Sequence, residues 1–291
     1  MRYDKINPIV RYLCLVSALL SLLPLPVNSA EEALVMGVFP RRNATETVQL
    51  FQPIADYLEK TMQRPVRLET TKDFDSFWTA LTQGRYDLVH YNQYHYLISH
   101  QASGYQVILK NEEFGEATIA GGILVRKDSP FKQLSDLKGK RIVFGGDAKA
   151  MQSYIVARYL LEQAGLKSGD YQEEFAKNPP NAILSAFYGQ ADAAGAGDKV
   201  LQLETVKGRI DIEQLHFLAV SEPMPHLPWA VKGSMPSATR DQLQKLLAEL
   251  KHTEAGKKLL AGAKLTGLII TSDAEYDLAR KIVAAVYDEH Y

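Results

Sequence analysis

The chain has 291 residues, 46% of them hydrophobic, and carries 33 lysines and arginines against 34 aspartates and glutamates. This near-neutral balance, with both signs interspersed, argues against nucleic acid or an anionic membrane surface as the main partner. The length exceeds what a single hydrophobic core usually serves, so it predicts two lobes.

Residues 1–30 have the pattern of a secretory signal peptide. Three basic residues precede an apolar segment over 12–25, and small residues follow at 27–30. The apolar segment is short for a membrane span and no second one follows, which disfavours a membrane anchor. We expect cleavage after Ser29 or Ala30 and a periplasmic mature protein without cysteine, because Cys14 is the only one.

The first third of the mature chain alternates between strand and helix patterns. Pro40 ends the first strand, Thr45 or Thr47 can cap the next helix, and Gly84 ends the second helix. The predicted elements are a strand over 33–40, a helix to residue 58, a strand over 66–70, a helix over 74–81 and a strand over 86–91. This order favours a parallel sheet covered by helices, so the predicted fold class is α/β.

The remaining chain continues the alternation. Predicted strands cover residues 107–109, 120–125, 142–144, 172–176 and 215–220, and predicted helices cover 155–164, 182–188 and 239–260, with a last helix after Asp273. Residues 81–88 and 187–194 are similar to each other, since each holds a helix end, a glycine, then an aspartate that opens a strand. One copy in each half of the chain indicates two similar lobes.

The candidate binding site follows the strand over 142–144. Gly145 and Gly146 permit a sharp turn, and the segment 150–153 then opens a helix that ends at Gly165. The first N–H groups of a helix have no acceptor inside it, and the helix dipole favours an anion there. We interpret Asp147 as a turn residue; an ordinary strand–helix junction is the alternative interpretation of the whole segment.

Several motifs in fixed order give the chain a resemblance to a known family. They are residues 37–40, Tyr57 with 58–59, 84–88, Tyr96, 125–130, 134–141, 146–147, 158–161, 189–194, 221–225 and Tyr276. The chain resembles the substrate-binding proteins of ABC importers for phosphate, phosphite and phosphonates, over residues 34–280. The resemblance implies a two-lobed type II periplasmic-binding-protein fold with a ligand cleft, no catalysis, no cofactor or metal, a monomer, and an ABC permease of the inner membrane as partner.

In that family two chain crossings join the lobes. The resemblance implies one crossing near residues 115–120 and another near 217–221. Lobe 1 then comprises residues 31–115 and 219–291, and lobe 2 comprises residues 118–218.

The resemblance also implies the ligand-binding residues. Where the family has a Ser-Thr-Ser-Gly run that holds the oxyanion, this chain has Ala150, Met151, Gln152 and Ser153. The family's His-Asp pair appears as Pro180-Asn181, and an aromatic residue after Pro40 is replaced by Arg41 or Arg42. The expected ligand contacts are Tyr96, Ala150, Met151, Gln152, Ser153, Arg41, Arg42, Tyr94, Asn181 and Asp198.

These replacements bear on the ligand. The lost hydroxyls weaken an inorganic phosphate site, and Met151, Tyr94, Tyr96 and Tyr154 make it more apolar, so we expect a phosphonate-like or other organic anion. Two alternatives remain open: a ligand sensor for a membrane receptor or kinase, and a cation or metal binder that uses the Tyr/His cluster over residues 91–96. An enzyme is disfavoured because the sequence lacks nucleophile-elbow, zinc-protease and phosphate-loop motifs.

Overall fold

The computed structural model describes residues 32–40 and 44–291. The predicted signal peptide over 1–30 therefore lies outside the described residues, as do Arg41 and Arg42. Within the described part of the chain, no helix has the length and apolar content needed to cross a membrane.

The described chain alternates strands and helices. The strands are β1 Leu34–Val38, β2 Val66–Glu69, β3 Leu88–His90, β4 Gln106–Glu112, β5 Thr118–Ile119, β6 Gly121–Arg126, β7 Arg141–Gly145, β8 Gln172–Ala176, β9 Ala193–Gly197, β10 Leu215–Val220, β11 Met224–Pro225, β12 Pro228–Val231 and β13 Gly267–Ile270. The helices are α1 Ala44–Met62, α2 Phe74–Thr82, α3 Gln93–Ser103, a π-helix Met151–Ile155 that continues into α4 Val156–Gln163, α5 Pro179–Phe187, α6 Glu204–Lys207, α7 Ser237–Glu249, α8 Glu254–Gly262 and α9 Asp277–Tyr287.

The strands form two large sheets, which confirms the predicted two-lobed α/β fold. The first sheet has the order β13-β4-β12-β3-β1-β2 and the second has the order β10-β6-β9-β7-β8. In each sheet one strand, β1 or β7, lies between two parallel neighbours, and an antiparallel strand follows. A ribbon of β5 paired with β11 lies on the two segments that connect the sheets.

The sequence repeat has the same role in both sheets. Gly84 and Gly189 end their helices with φ of 68° and 71°. The Asp87 carboxylate then accepts the Val35 N–H at 2.8 Å, and the Asp192 carboxylate accepts the Arg141 N–H at 2.9 Å. Each aspartate thus ties the start of a central parallel strand to its neighbour, because a carboxylate is a strong acceptor for an otherwise unpaired strand N–H.

The hydrophobic core is continuous across the two sheets. One cluster of buried side chains covers one face of the first sheet and extends to the π-helix and α4 of the second. Tyr94 of α3 and Met151 and Tyr154 of the π-helix all belong to this cluster. The other faces of the two sheets pack against α1, α7 and α8 and against α5, respectively. The two lobes therefore meet at α3 and the π-helix.

Three elements of the fold were not predicted. The aromatic segment after residue 91 begins a helix, α3, because the Asn92 side chain caps it by accepting the His95 N–H at 2.8 Å. Residues 223–231, which contain three prolines, include β12, a central strand of the first sheet, and β13 is the third element. Strand β10 pairs with β6 as far as Val220, so the second connection between the sheets begins at Ser221, at the end of the range expected for the second crossing.

Candidate functional site

The glycine turn after β7 positions the start of the predicted site. Gly146 adopts φ of 113°, a region that favours glycine, and its N–H donates to Ala176 of β8 at 2.8 Å. The Asp147 carboxylate then accepts the Lys149 N–H at 2.8 Å. Asp147 therefore folds the turn back on itself, and residue 150 begins the helix at the carboxyl end of β7, where α/β sheets place ligands.

The helix that follows has no side-chain cap at its start. Ala150 occupies the N-cap position and has no hydroxyl or carboxylate to accept an N–H. The Val156 N–H donates to the Met151 carbonyl, so the first turn is a π-helix, a form that occurs most often at functional sites. Met151, Gln152 and Ser153 are nevertheless buried. A buried helix start without a side-chain cap leaves its first N–H groups available to another acceptor, such as an anion.

Glycines in the second sheet let this first turn lie directly on the strands. A Cβ at Gly195 of β9 would lie 2.2 Å from the Ser153 carbonyl oxygen, and a Cβ at Gly121 of β6 would lie 2.5 Å from the Gln152 carbonyl oxygen. Any larger residue would push the helix away from the sheet. The Ser153 hydroxyl donates to the Gly145 carbonyl and so fixes the turn, and a ligand contact by Ser153 stays a prediction.

A second helix start, that of α3, lies against the first. Helix α3 begins directly after β3, at the carboxyl end of a parallel strand of the first sheet. The Asn92 side-chain amide donates to the Lys149 carbonyl at 3.0 Å, which joins the two helix starts across the lobes. Both helix dipoles therefore direct their positive ends into this region, an arrangement suited to an anion.

Three buried polar side chains surround these helix starts. The Gln93 amide nitrogen donates to the Pro225 carbonyl of β11 at 2.8 Å, while its carbonyl oxygen has no partner among the described residues. His95 is stacked on Phe74 with ring centroids 6.0 Å apart, and both ring nitrogens lack a partner there. Both amide atoms of Gln152 lack one as well. Buried polar groups are normally paired, so these atoms make the region a candidate binding site.

Burial sets the charge of His95. Loss of hydration, with a smaller contribution from the positive charge of Lys149, lowers the pKa of His95 to about 3. The ring is therefore neutral at pH 7 and offers one donor and one acceptor. Sequence reasoning included His95 only in an aromatic cluster and did not single out Gln93, because the significance of Gln93 depends on distant Pro225.

The predicted tyrosines lie in separate hydrogen bonds. Tyr96 is fully buried, and its hydroxyl donates to the Asp273 carboxylate at 2.5 Å. The Tyr94 hydroxyl donates to Glu289 at 2.9 Å. Tyr91 pairs with Ser99 at 2.8 Å. The three hydroxyls do not converge, which leaves the cation or metal alternative without a common site, and a ligand contact by Tyr94 or Tyr96 stays a prediction.

The other predicted residues lie around the edges of this region. Asp198 accepts the Ala120 N–H at 3.1 Å and pairs with Lys199 at 3.1 Å, so its carboxylate braces the first crossing. Asn181 is exposed on the first turn of α5, where its N–H donates to the Asn178 side chain at 3.0 Å. Contacts of Asp198 and Asn181 with a ligand remain predictions, as do those of Arg41 and Arg42.

A small cavity lies elsewhere in the first lobe. Its lining includes Phe39, Phe51, His90, Asn111 and Glu113. None of the predicted site residues among those described lines it. Within residues 32–40 and 44–291, no group of three or more histidine, cysteine, aspartate or glutamate side chains is arranged to hold a metal ion.

Comparison with known proteins agrees with the geometry. Residues 36–276 match the profile of a family described as the periplasmic substrate-binding protein of a phosphonate ABC transporter. The match covers well over half of the chain, including both sheets and both helix starts.

Solved structures show the same fold. PhnD1 from Prochlorococcus marinus in complex with methylphosphonate has a TM-score of 0.76 at 15% identity, over 89% of this chain and 99% of that one. XAC2383 from Xanthomonas citri bound to ATP has a TM-score of 0.75 at 17% identity, over 89% and 98%. The periplasmic aliphatic sulphonate binding protein SsuA from Escherichia coli has a TM-score of 0.61 at 18% identity, over 88% and 87%.

Proposed function

Because the chain belongs to the family of periplasmic substrate-binding proteins of phosphonate ABC transporters, we propose that it captures a small organic anion between its lobes for a membrane complex. Members of this family are binding proteins of transporters rather than enzymes. Capture needs no chemistry, since lobe closure only has to favour the liganded state by a few kcal/mol.

One observation carries the proposal. The uncapped, buried helix start at Met151, Gln152 and Ser153 lies against the start of α3, and Asn92 links the two. Main-chain N–H groups and two helix dipoles can bind an oxyanion there without a positively charged side chain. The bound species of the structural relatives, methylphosphonate and ATP, carry such oxyanions.

The surroundings favour an anion with an organic part over inorganic phosphate. Ala150 and Met151 replace two hydroxyls of the family's oxyanion run, and Met151 is 1% exposed in an apolar cluster with Tyr94 and Tyr154. Each lost hydroxyl removes a hydrogen bond that contributes about 1 kcal/mol. Apolar contact with a carbon skeleton can offset that loss.

The membrane partner, the cleavage of the signal peptide and the residue ranges of the two lobes belong to the same proposal. We propose a monomer that leaves the cytoplasm by a signal peptide over residues 1–30 and delivers its ligand to an ABC permease of the inner membrane. The sequence placed lobe 1 at residues 31–115 and 219–291 and lobe 2 at 118–218. Because β10 pairs in the second sheet as far as Val220, we propose 118–220 for lobe 2 and 221–291 for the last part of lobe 1. Co-purification with a permease, rather than with a sensor kinase, supports import.

A thermal-shift screen of the purified mature protein tests the proposed function. The panel comprises phosphate, phosphite, phosphonates, sulfonates, carboxylates, quaternary amines and metal ions. A ligand at a hundredfold excess over its Kd stabilises the folded state by about 2.7 kcal/mol, which raises the melting temperature. We expect organic oxyanions to give the largest shifts. A response to cations or metal ions alone contradicts the proposal.

A further inference from the structure

Several buried polar atoms where the lobes meet have no partner among the described residues, and they define which hydrogen-bond donors and acceptors a ligand must carry. These atoms are the Gln93 carbonyl oxygen, both ring nitrogens of His95, and the oxygen and nitrogen of the Gln152 amide. Gln93 is 0% exposed, His95 1% and Gln152 9%. Side chains this deeply buried are normally hydrogen-bonded, so we expect a bound ligand to supply partners.

Contacts place Gln93 and Gln152 beside the same structural element. The Gln93 amide nitrogen donates to Pro225 of β11. The Gln152 Cβ and Ile119 of β5 both approach Gly197, within 3.6 Å and 3.2 Å of the position of a Cβ there. Ile119 and Pro225 belong to the paired ribbon between the lobes. The Gln93 amide and the Gln152 Cβ therefore lie near the same ribbon, each on the first turn of a helix from a different lobe.

The orientation of the Gln93 amide is fixed by its partner. Pro225 offers only a carbonyl oxygen, so the atom of Gln93 that contacts it must be the NH₂ donor. The free atom of Gln93 is consequently an acceptor. Gln152 presents one acceptor and one donor whichever way its amide is turned. The neutral His95 ring presents one of each.

An oxyanion alone cannot satisfy this set. A sulfonate, or a phosphonate that has lost both protons, carries only acceptors. It can bind the main-chain N–H groups and the Gln152 NH₂ group but leaves the Gln93 and Gln152 oxygens unpaired. A ligand ammonium would supply donors, but Gln93, His95 and Gln152 bring no negative charge, and Lys149 is close enough to His95 to lower its pKa. A buried cation without a counter-charge is unfavourable.

We propose that Gln93 and Gln152 select an organic anion that carries an uncharged hydrogen-bond donor, a hydroxyl or carboxamide, next to its oxyanion. This inference rests on the proposed function and adds a second group by which the ligand is recognised. The oxyanion binds at the helix starts, and the donor group binds the free amide oxygens.

Isothermal titration of the mature protein with matched sulfonates tests the inference. Ethanesulfonate, 2-hydroxyethanesulfonate and 2-aminoethanesulfonate share one oxyanion that stays ionised, and ethylphosphonate with 2-hydroxyethylphosphonate provides a second pair. We expect the hydroxyl compound of each pair to bind at least tenfold more tightly than its parent, and the amino compound to bind less tightly than the hydroxyl compound. This comparison in the unaltered protein needs no variant that has to fold.

Substitution then assigns the preference to a residue. Gln152→Met keeps the length of the side chain and removes both polar atoms, so the hydroxyl preference should fall below about threefold. Gln163→Met makes the same change at an exposed position of α4 and should leave the preference intact. Equal binding of the members of each pair, or preference for the amino compound, overturns the inference and leaves the proposed function standing. Binding of none of these anions overturns the inference, and the absence of a thermal shift with every oxyanion of the screen overturns the proposed function as well.

Discussion

A single methyl group at Gly195 should displace the helix start on which the proposed site depends. An alanine Cβ there would lie 2.2 Å from the Ser153 carbonyl oxygen and 2.4 Å from the Phe144 ring, whereas ordinary contacts begin at 3.4 Å. Phe144 is 0% exposed and cannot move aside. The helix start must therefore shift by about 1.2 Å, the difference between 3.4 Å and 2.2 Å.

Overpacking of this kind costs about 1–3 kcal/mol, which lowers the melting temperature by roughly 2–12 °C in a chain of this size. The same shift exceeds the tolerance of hydrogen bonds from the main-chain N–H groups, and the loss of two such bonds weakens anion binding by about thirtyfold. Thermal unfolding and isothermal titration with 2-hydroxyethylphosphonate measure both effects. Gly262→Ala is the control, because a Cβ there meets nothing within 4 Å. If Gly195→Ala has the same melting temperature and the same Kd as the control, the argument that Gly195 lets the helix start pack on β9 is refuted.

Two further predictions concern charge. Because the pKa of His95 falls from 6.5 to about 3 on folding, the free energy of unfolding should be unaffected by His95 above pH 6.5 and should decrease below it, by up to about 1.4 kcal/mol per pH unit. Urea unfolding of the His95→Phe variant between pH 7 and pH 4 should show a smaller decrease than the unaltered protein, and equal slopes contradict the burial argument. Asp87→Ala should cost about 1.5–3 kcal/mol because it leaves the buried Val35 N–H unpaired. Asp192→Ala, whose partner Arg141 is exposed, should cost less in the same assay, and an equal cost refutes the comparison.

The sequence predicted those parts of the fold that depend on local pattern. The helix–glycine–aspartate repeat indicated two similar lobes, and the structure shows why: Asp87 and Asp192 make the same bond to the neighbouring strand. β12 was missed because prolines argue against a central strand. Pro228 is its first residue, where a missing N–H does no harm, and the Pro228 carbonyl accepts the Tyr91 N–H.

The site was predictable only in part. The strand, the glycine turn and the helix start at residue 150 depend on residues close in sequence, and the sequence analysis predicted all three. The roles of other residues depend on distant contacts. Tyr96 has its hydroxyl in a bond to Asp273, and Gln93 acquires a free acceptor only because its amide nitrogen contacts Pro225. No local pattern contains that information.

Hydrogen–deuterium exchange of the mature protein tests the central claim most directly, because it reports which main-chain N–H groups a ligand protects. With 2-hydroxyethylphosphonate added, we expect increased protection in peptides that cover residues 92–96 and 148–156, the two helix starts joined by the Asn92–Lys149 bond. The ribbon of β5 and β11 should also gain protection as the lobes close on the ligand. Protection confined to the cavity near His90 and Glu113, with the two helix starts unchanged, would contradict the account.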